Sequence, residues 1–325
     1  MATYKELHGI NVQYRASDAP EIEGDVWYNA STGLLKMYAS LGAWASGGNR
    51  NNSAYDGTGI GLQTAALAVH GESPLSAKAE EYNGSSWTEV TASPTALATG
   101  GGGGIQTSAV FGGGYFPALS TESFEYDGTN WTEGGDINTG RKGVGGSGSA
   151  STAALIFGGE PPGPGGQAIT ELYDGSTWTE VGDLNNSRYN ITGLGTSTAT
   201  LACTGTEPQT GEKGEYVEIW NGTAWTEVAD TNTARHQGAK NGAGTTTDAL
   251  IFGGHAGPPG VTGITESYNG TSWTEVADLS TARQSGYGGG TGSAAIISGG
   301  HLGPAAGNVT EEWDMSASIE TVAFD

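Results

Sequence analysis

The chain has 325 residues, 58 of them glycine, with sparse Leu, Ile and Phe, which excludes a helical bundle or an ordinary α/β enzyme. Nine tryptophans and 13 tyrosines exclude disorder, because a disordered chain lacks large apolar groups to bury. A net charge of −23 repels phosphate backbones and anionic membranes, and a single cysteine excludes both an intramolecular disulfide framework and a Cys-rich metal site.

The N-terminus carries no apolar core of signal-peptide length, and no run anywhere approaches the 18 apolar residues of a membrane span. A soluble chain made without classical secretion is the expectation. Residues 24–29 and 34–38, joined by Ala30-Ser31-Thr32-Gly33, predict a β-hairpin outside the pattern that follows. Residues 1–40 therefore read as an attachment module, and 41–325 as one repeat domain.

That domain is marked by Trp44, Trp87, Trp131, Trp178, Trp225 and Trp273, which stand 43, 44, 47, 47 and 48 residues apart, the period of a propeller blade. Five of them close the pattern aromatic-[Asp/Asn]-Gly-[Ser/Thr]-x-Trp, from Tyr82, Tyr126, Tyr173, Trp220 and Tyr268. Asn-Gly and Asp-Gly between aromatic and β-branched residues predict a tight hairpin with both turn residues at positive φ. Upstream of the hairpins, and once more near the C-terminus, lie short apolar runs at 65–71, 108–114, 153–159, 200–205, 248–254 and 294–300, which suit strands buried on both faces. Arg141, Arg188, Arg235 and Arg283 each follow a tryptophan by ten residues and precede a Gly-rich innermost strand. Four strands per repeat and six repeats predict an all-β, six-bladed β-propeller. Two segments compete to complete the last blade: the Trp44 segment, favoured by its spacing, and residues 319–322, which echo Trp-Thr-Glu-Val.

The glycine pair after each apolar run, the tyrosine before the turn and the spaced tryptophan resemble kelch repeats of the galactose-oxidase type, over roughly residues 42–325. His70-Gly71-Glu72 and Thr204-Gly205-Thr206 depart from the glycine pair. The near-identical repeats, together with Gly-Asp-Val-Trp-Tyr-Asn at 24–29, are similar to structural proteins of marine tailed phages. That resemblance implies a virion component assembled in the host cytoplasm: a tail-fibre or receptor-binding protein. A capsid decoration protein and a non-virion carbohydrate- or protein-binding scaffold are the alternatives.

The galactose-oxidase likeness also implies a test for copper, which needs tyrosines, histidines and a cysteine cross-linked to tyrosine. Cys203 instead stands in the apolar run Thr200-Leu201-Ala202-Cys203, so no enzyme, metal or cofactor is expected. Glu89, Glu133, Glu180, Glu227 and Glu275, with Asp136, Asp183, Asp230 and Asp278, recur one per repeat, a solvated outer face rather than a calcium cluster. Asn83, Asn221 and Asn269 fall in sequons that the turn already explains, and Gly100 to Gly104 lack the Gly-Lys-Ser/Thr of a phosphate loop. The candidate binding face lies where the loops after the apolar strands emerge, at Glu72, Tyr115, Phe116, Glu160, Glu207, His255 and His301. Proline-rich loops at 161–164, 208–209, 258–259 and 302–304 stiffen that face, and exposed aromatic rings suit stacking on sugars. The expected partners are other virion proteins through residues 1–40, a host-surface glycan or protein, and further copies of the chain in the particle; nucleic acid and membrane insertion are not expected.

Overall fold

A computed structural model describes residues 12–18, 25–161, 163, 165–208, 211–257 and 260–322. His8, Pro162, Pro164, Gln209, Pro258, Pro259, residues 323–325 and part of the attachment module lie outside them. Every element among the described residues is a β-strand.

Strands β1 (Gln13–Arg15), β2 (Val26–Asn29) and the first part of β3 (Leu34–Ser46) form the expected hairpin plus one unforeseen parallel strand. Gly33, at φ 71°, closes the turn, and the Asn29 side chain accepts bonds from the backbone N–H groups of Ser31 and Thr32. Trp27 is buried, donates from its indole to Asp18 at 3.0 Å, and lies under the Arg15 guanidinium.

Five four-stranded antiparallel sheets follow in chain order. The first holds β4 (Thr58–Leu62), β5 (Ala65–Val69), β6 (Ala79–Tyr82) and β7 (Trp87–Val90). The second holds β8 (Gly101–Ile105), β9 (Ser108–Gly112), β10 (Ser123–Tyr126) and β11 (Trp131–Glu133). The third holds β12 (Gly145–Ala150), β13 (Ala153–Phe157), β14 (Thr170–Tyr173) and β15 (Trp178–Glu180). The fourth holds β16 (Thr192–Thr196), β17 (Ala199–Thr206), β18 (Lys213–Trp220) and β19 (Trp225–Glu227). The fifth holds β20 (Ala243–Thr245), β21 (Asp248–Phe252), β22 (Thr265–Tyr268) and β23 (Trp273–Glu275). In the last sheet β24 (Tyr287–Gly290) and β25 (Ala294–Ser298) are followed by β26 (Thr310–Thr321) and then by β3, so the Trp44 segment supplies the outer strand. The competing residues 319–321 belong to β26 itself. Residues 44–313 form one compact unit, and the described residues after Trp313 group with those before Trp44, β26 running on past Trp313 beside β3.

The first strands β4, β8, β12, β16, β20 and β24 each pack beside the next, and β24 packs beside β4. The architecture is all-β and propeller-like. Runs such as Leu155-Ile156-Phe157 are wholly buried, each side chain contributing about 1.5–3 kcal/mol through its removal from water. Directly opposite ring pairs hold the hairpins: Tyr82–Trp87, Tyr126–Trp131, Tyr173–Trp178, Trp220–Trp225 and Tyr268–Trp273, with centroids 4.8–5.5 Å apart. Their turns differ from the expected form. Only the glycine takes positive φ, while Asn83, Asp127, Asp174, Asn221 and Asn269 stay negative and accept bonds from the two backbone N–H groups that follow the glycine. His70 and Thr204 take the same left-handed φ, 61° and 60°, as the glycines they replace, so the backbone of the repeat continues unchanged through both departures.

The joints between sheets rest on buried ion pairs that cross to the following sheet. Arg50–Glu80 (2.7 Å), Arg141–Glu171, Arg188–Glu218 (2.6 Å), Arg235–Glu266 (3.2 Å) and Arg283–Glu311 (2.5 Å) recur at five of six joints. Asn138, Asn185 and Asn232 donate from backbone and side chain to the other carboxylate oxygen, satisfying it. At the sixth joint Leu97 stands at the arginine position and Phe124 at the glutamate position, both within one apolar cluster.

Candidate functional site: the axial mouth

Just before each first strand, one residue turns toward the axis: Asp56, Thr99, Gly143, Asn190, Gln237 and Ser285, all with φ between 53° and 66°. Each donates its backbone N–H to the carbonyl of the previous one, and Asp56 donates to Ser285. Six hydrogen bonds of 2.6–3.2 Å thus close a main-chain ring. The spacing of these residues repeats that of the tryptophans, so every repeat contributes one. Left-handed φ costs a non-glycine residue about 1–2 kcal/mol, which the ring and the flanking sheets offset.

One residue earlier, Tyr55, Ala98, Lys142, Tyr189, His236 and Gln284 exchange paired backbone hydrogen bonds with Glu72, Tyr115, Glu160, Thr206, His255 and His301. The loop after the second strand and the loop entering the first strand therefore meet at one level in every repeat. In the fourth repeat the position expected for Glu207 is held by Thr206, which follows Gly205 directly as Glu72 follows Gly71 and Tyr115 follows Gly114.

Of the seven candidate residues, Glu72, Tyr115 and Glu160 converge on one chamber of about 260 Å³, with Asp56, Thr99, Lys142, Asn190 and Gln237. Phe116 is 52% exposed and stands outside it. Glu207 lines a separate depression with Tyr216 and Arg188. His301 packs edge-on against Tyr55 at 5.2 Å, and His255 lies 5.1 Å from His236, whose pKa falls to about 4 through burial and through His255. The repeated outer acids Glu89, Glu133, Glu180, Glu227 and Glu275 are exposed. Among the described residues no group of three His, Cys, Asp or Glu is placed to hold a metal, and Cys203 is buried with its thiol pKa pushed up to about 12 by desolvation.

Two lysines enter the chamber's electrostatics. Lys142 pairs with Glu160 at 3.3 Å and lies 5.3 Å from the Tyr115 ring centre. Lys240, which the sequence reading passed over, lies 3.8 Å from Asp56 and is only 3% exposed. Three residues after the ring position the other repeats carry Gly59, Gly102, Gly146, Gly193 and Gly288; the fifth carries Lys240, followed by two extra residues before the positive-φ glycine, Gly244. The inserted backbone bonds to both flanking repeats, from Lys240 N–H to the Gly286 carbonyl just before β24 and from Gly242 N–H to the Gly193 carbonyl in β16. The Asn241 side chain reaches across the axis to the Gly102 carbonyl at 3.4 Å. The one signal was the spacing from Gln237 to Gly244, seven residues where the other repeats have five.

Fold and mouth together define a propeller-like repeat protein with a polar axial chamber at one end. No family model matches the chain, and no curated protein matches it.

Proposed function

We propose that the chain is a six-bladed, kelch-like β-propeller serving as a phage virion structural protein, a tail-fibre or receptor-binding component. Residues 1–40 dock onto the particle and the axial mouth faces the host. One observation carries this reading: an almost uniform frame presents six residues of four chemical kinds, Glu72, Tyr115, Glu160, Thr206, His255 and His301, at one structural position. Variation confined to the rim of a fixed scaffold is the pattern of a recognition surface. The separate compact unit formed by 1–43 with 314–325 supports a division of labour between attachment and display. Binding rather than catalysis fits the buried, proton-retaining Cys203.

Electron microscopy of purified particles labelled with antibody against residues 44–313 tests the reading. Label at tail or fibre tips is the expected result. Label over the shell would make the chain a decoration protein, and unlabelled particles would remove the virion role.

A further inference from the structure

We propose that the axial chamber is an end-on site for the terminal residue of a neutral saccharide. The assignment rests on the reading of this face as the recognition face and names its ligand class.

The chamber's walls mix acceptors and donors: Asp56, Glu72 and Glu160 against Lys142, Asn190, Gln237 and the Thr99 hydroxyl. Asp56 on its wall and Lys240 behind Asp56 carry polar atoms with no hydrogen-bond partner. Lys240 Nζ and Asp56 Oδ1, on residues 3% and 8% exposed, face each other 3.8 Å apart, too far for a hydrogen bond. An ammonium with three free donors beside a carboxylate oxygen with free lone pairs is matched by hydroxyl groups, each of which donates and accepts. Satisfying such buried groups is where polar ligands gain specificity.

Charge decides against ionic ligands. Lys142 is matched by Glu160 and Lys240 by Asp56, leaving Glu72 as the excess charge. A phosphate or carboxylate would meet that surplus negative charge, and the protein's −23 behind it. A cation would meet the charge of Lys240 behind Asp56. A neutral polyol meets neither penalty. Tyr115, 39% exposed at the rim, offers an aromatic face for the apolar side of a pyranose ring.

The cross-axis bond sets the mode of binding. Asn241, next to Lys240, spans the axis to the Gly102 carbonyl in the repeat where the small residue of the other five is replaced. A chain entering from the mouth therefore stops, and its end residue is read rather than an internal one.

The test is titration of the purified full chain with a panel of neutral methyl pyranosides, followed by isothermal calorimetry and ligand-observed NMR, with inorganic phosphate and acetate as competitors. The expected result is binding of at least one pyranoside, weakened tenfold or more by Tyr115→Ala, which alters only an exposed rim residue, and by Lys240→Met. Glu133→Gln, on the exposed outer strand away from the chamber, leaves the affinity unchanged. No binding by any pyranoside, binding indifferent to Tyr115→Ala, or Lys240-dependent binding of phosphate or acetate instead each overturns the assignment. Because particle labelling is read separately, label at fibre tips without sugar binding removes the saccharide site alone and leaves the recognition reading standing.

Discussion

Five joints between neighbouring sheets carry a buried Arg–Glu pair, whereas the joint between the first and second sheets carries Leu97 and Phe124 in the same places. Both solutions leave no buried charge without its counter-charge. The desolvation cost of burying two charges nearly cancels their attraction, so an apolar pair of similar volume is an equal alternative, but half of either pair is not. The unit of sequence change at these joints is therefore the pair, which is why both positions differ together in the second repeat.

The largest expected effect breaks that unit. Glu171→Ala leaves the Arg141 guanidinium buried without its counter-charge and should cost about 3–5 kcal/mol, read as a lower urea midpoint. Phe124→Glu should do comparable damage from the other side, placing a carboxylate among Leu97, Phe111 and Val69. The double change Arg141→Leu with Glu171→Phe should recover most of the loss. A double variant no more stable than Glu171→Ala would show that the five ionic joints depend on charge itself, through Asn138 and its bonds to Glu171.

These joints also show why part of the molecule was legible in the sequence and part was not. Tyr82 and Trp87 face each other across a turn of fixed length, and the apolar runs are continuous, so period and strand order follow from local chemistry. Glu80 and Glu81 look alike in sequence, yet Glu80 is buried against Arg50 while Glu81 receives the Tyr126 hydroxyl bond at the next sheet. Which neighbour is inside depends on strand register against another sheet, information that no short window contains. The mouth was legible in the same partial way. Glu72, Tyr115 and Glu160 share the chamber because their loops occupy equivalent positions, whereas Lys240 reaches Asp56 from behind it, in a repeat whose insertion is visible only by counting between distant repeats.

A second contrast sets His70 and His236 apart from the exposed polar surface. Burial holds the His70 pKa at about 3, and burial with His255 holds that of His236 at about 4, both below the unfolded value of about 6.5. The unfolded chain then binds protons that the folded chain refuses. Stability from these groups is complete above about pH 6.5 and falls as pH drops toward 4 and then 3, by at most about 1.4 kcal/mol per pH unit for each histidine. Urea midpoints measured from pH 7.5 to 5 should decline, and His70→Asn, which keeps a side chain tolerant of left-handed φ, should flatten the slope. An unchanged slope would assign the acid sensitivity to other groups.

The smallest expected effect compares Thr204 with the glycines at its place. Gly113, Gly158, Gly253 and Gly299 adopt φ of 61–69° without steric cost, and Thr204 adopts 60° with a β-branched side chain. Thr204→Gly relieves a strain of about 1–2 kcal/mol but frees the unfolded backbone by up to about 1 kcal/mol, for a net gain near 0.5–1 kcal/mol. His70→Gly at the other departure should destabilise instead, because His70 packs its ring 4.2 Å from Phe111 and bonds to the Ser93 hydroxyl at 2.5 Å. Opposite signs from the same substitution at equivalent positions, read by thermal unfolding, would separate backbone strain from side-chain packing. A loss at both sites would mean that Thr204 also contributes through its buried contacts.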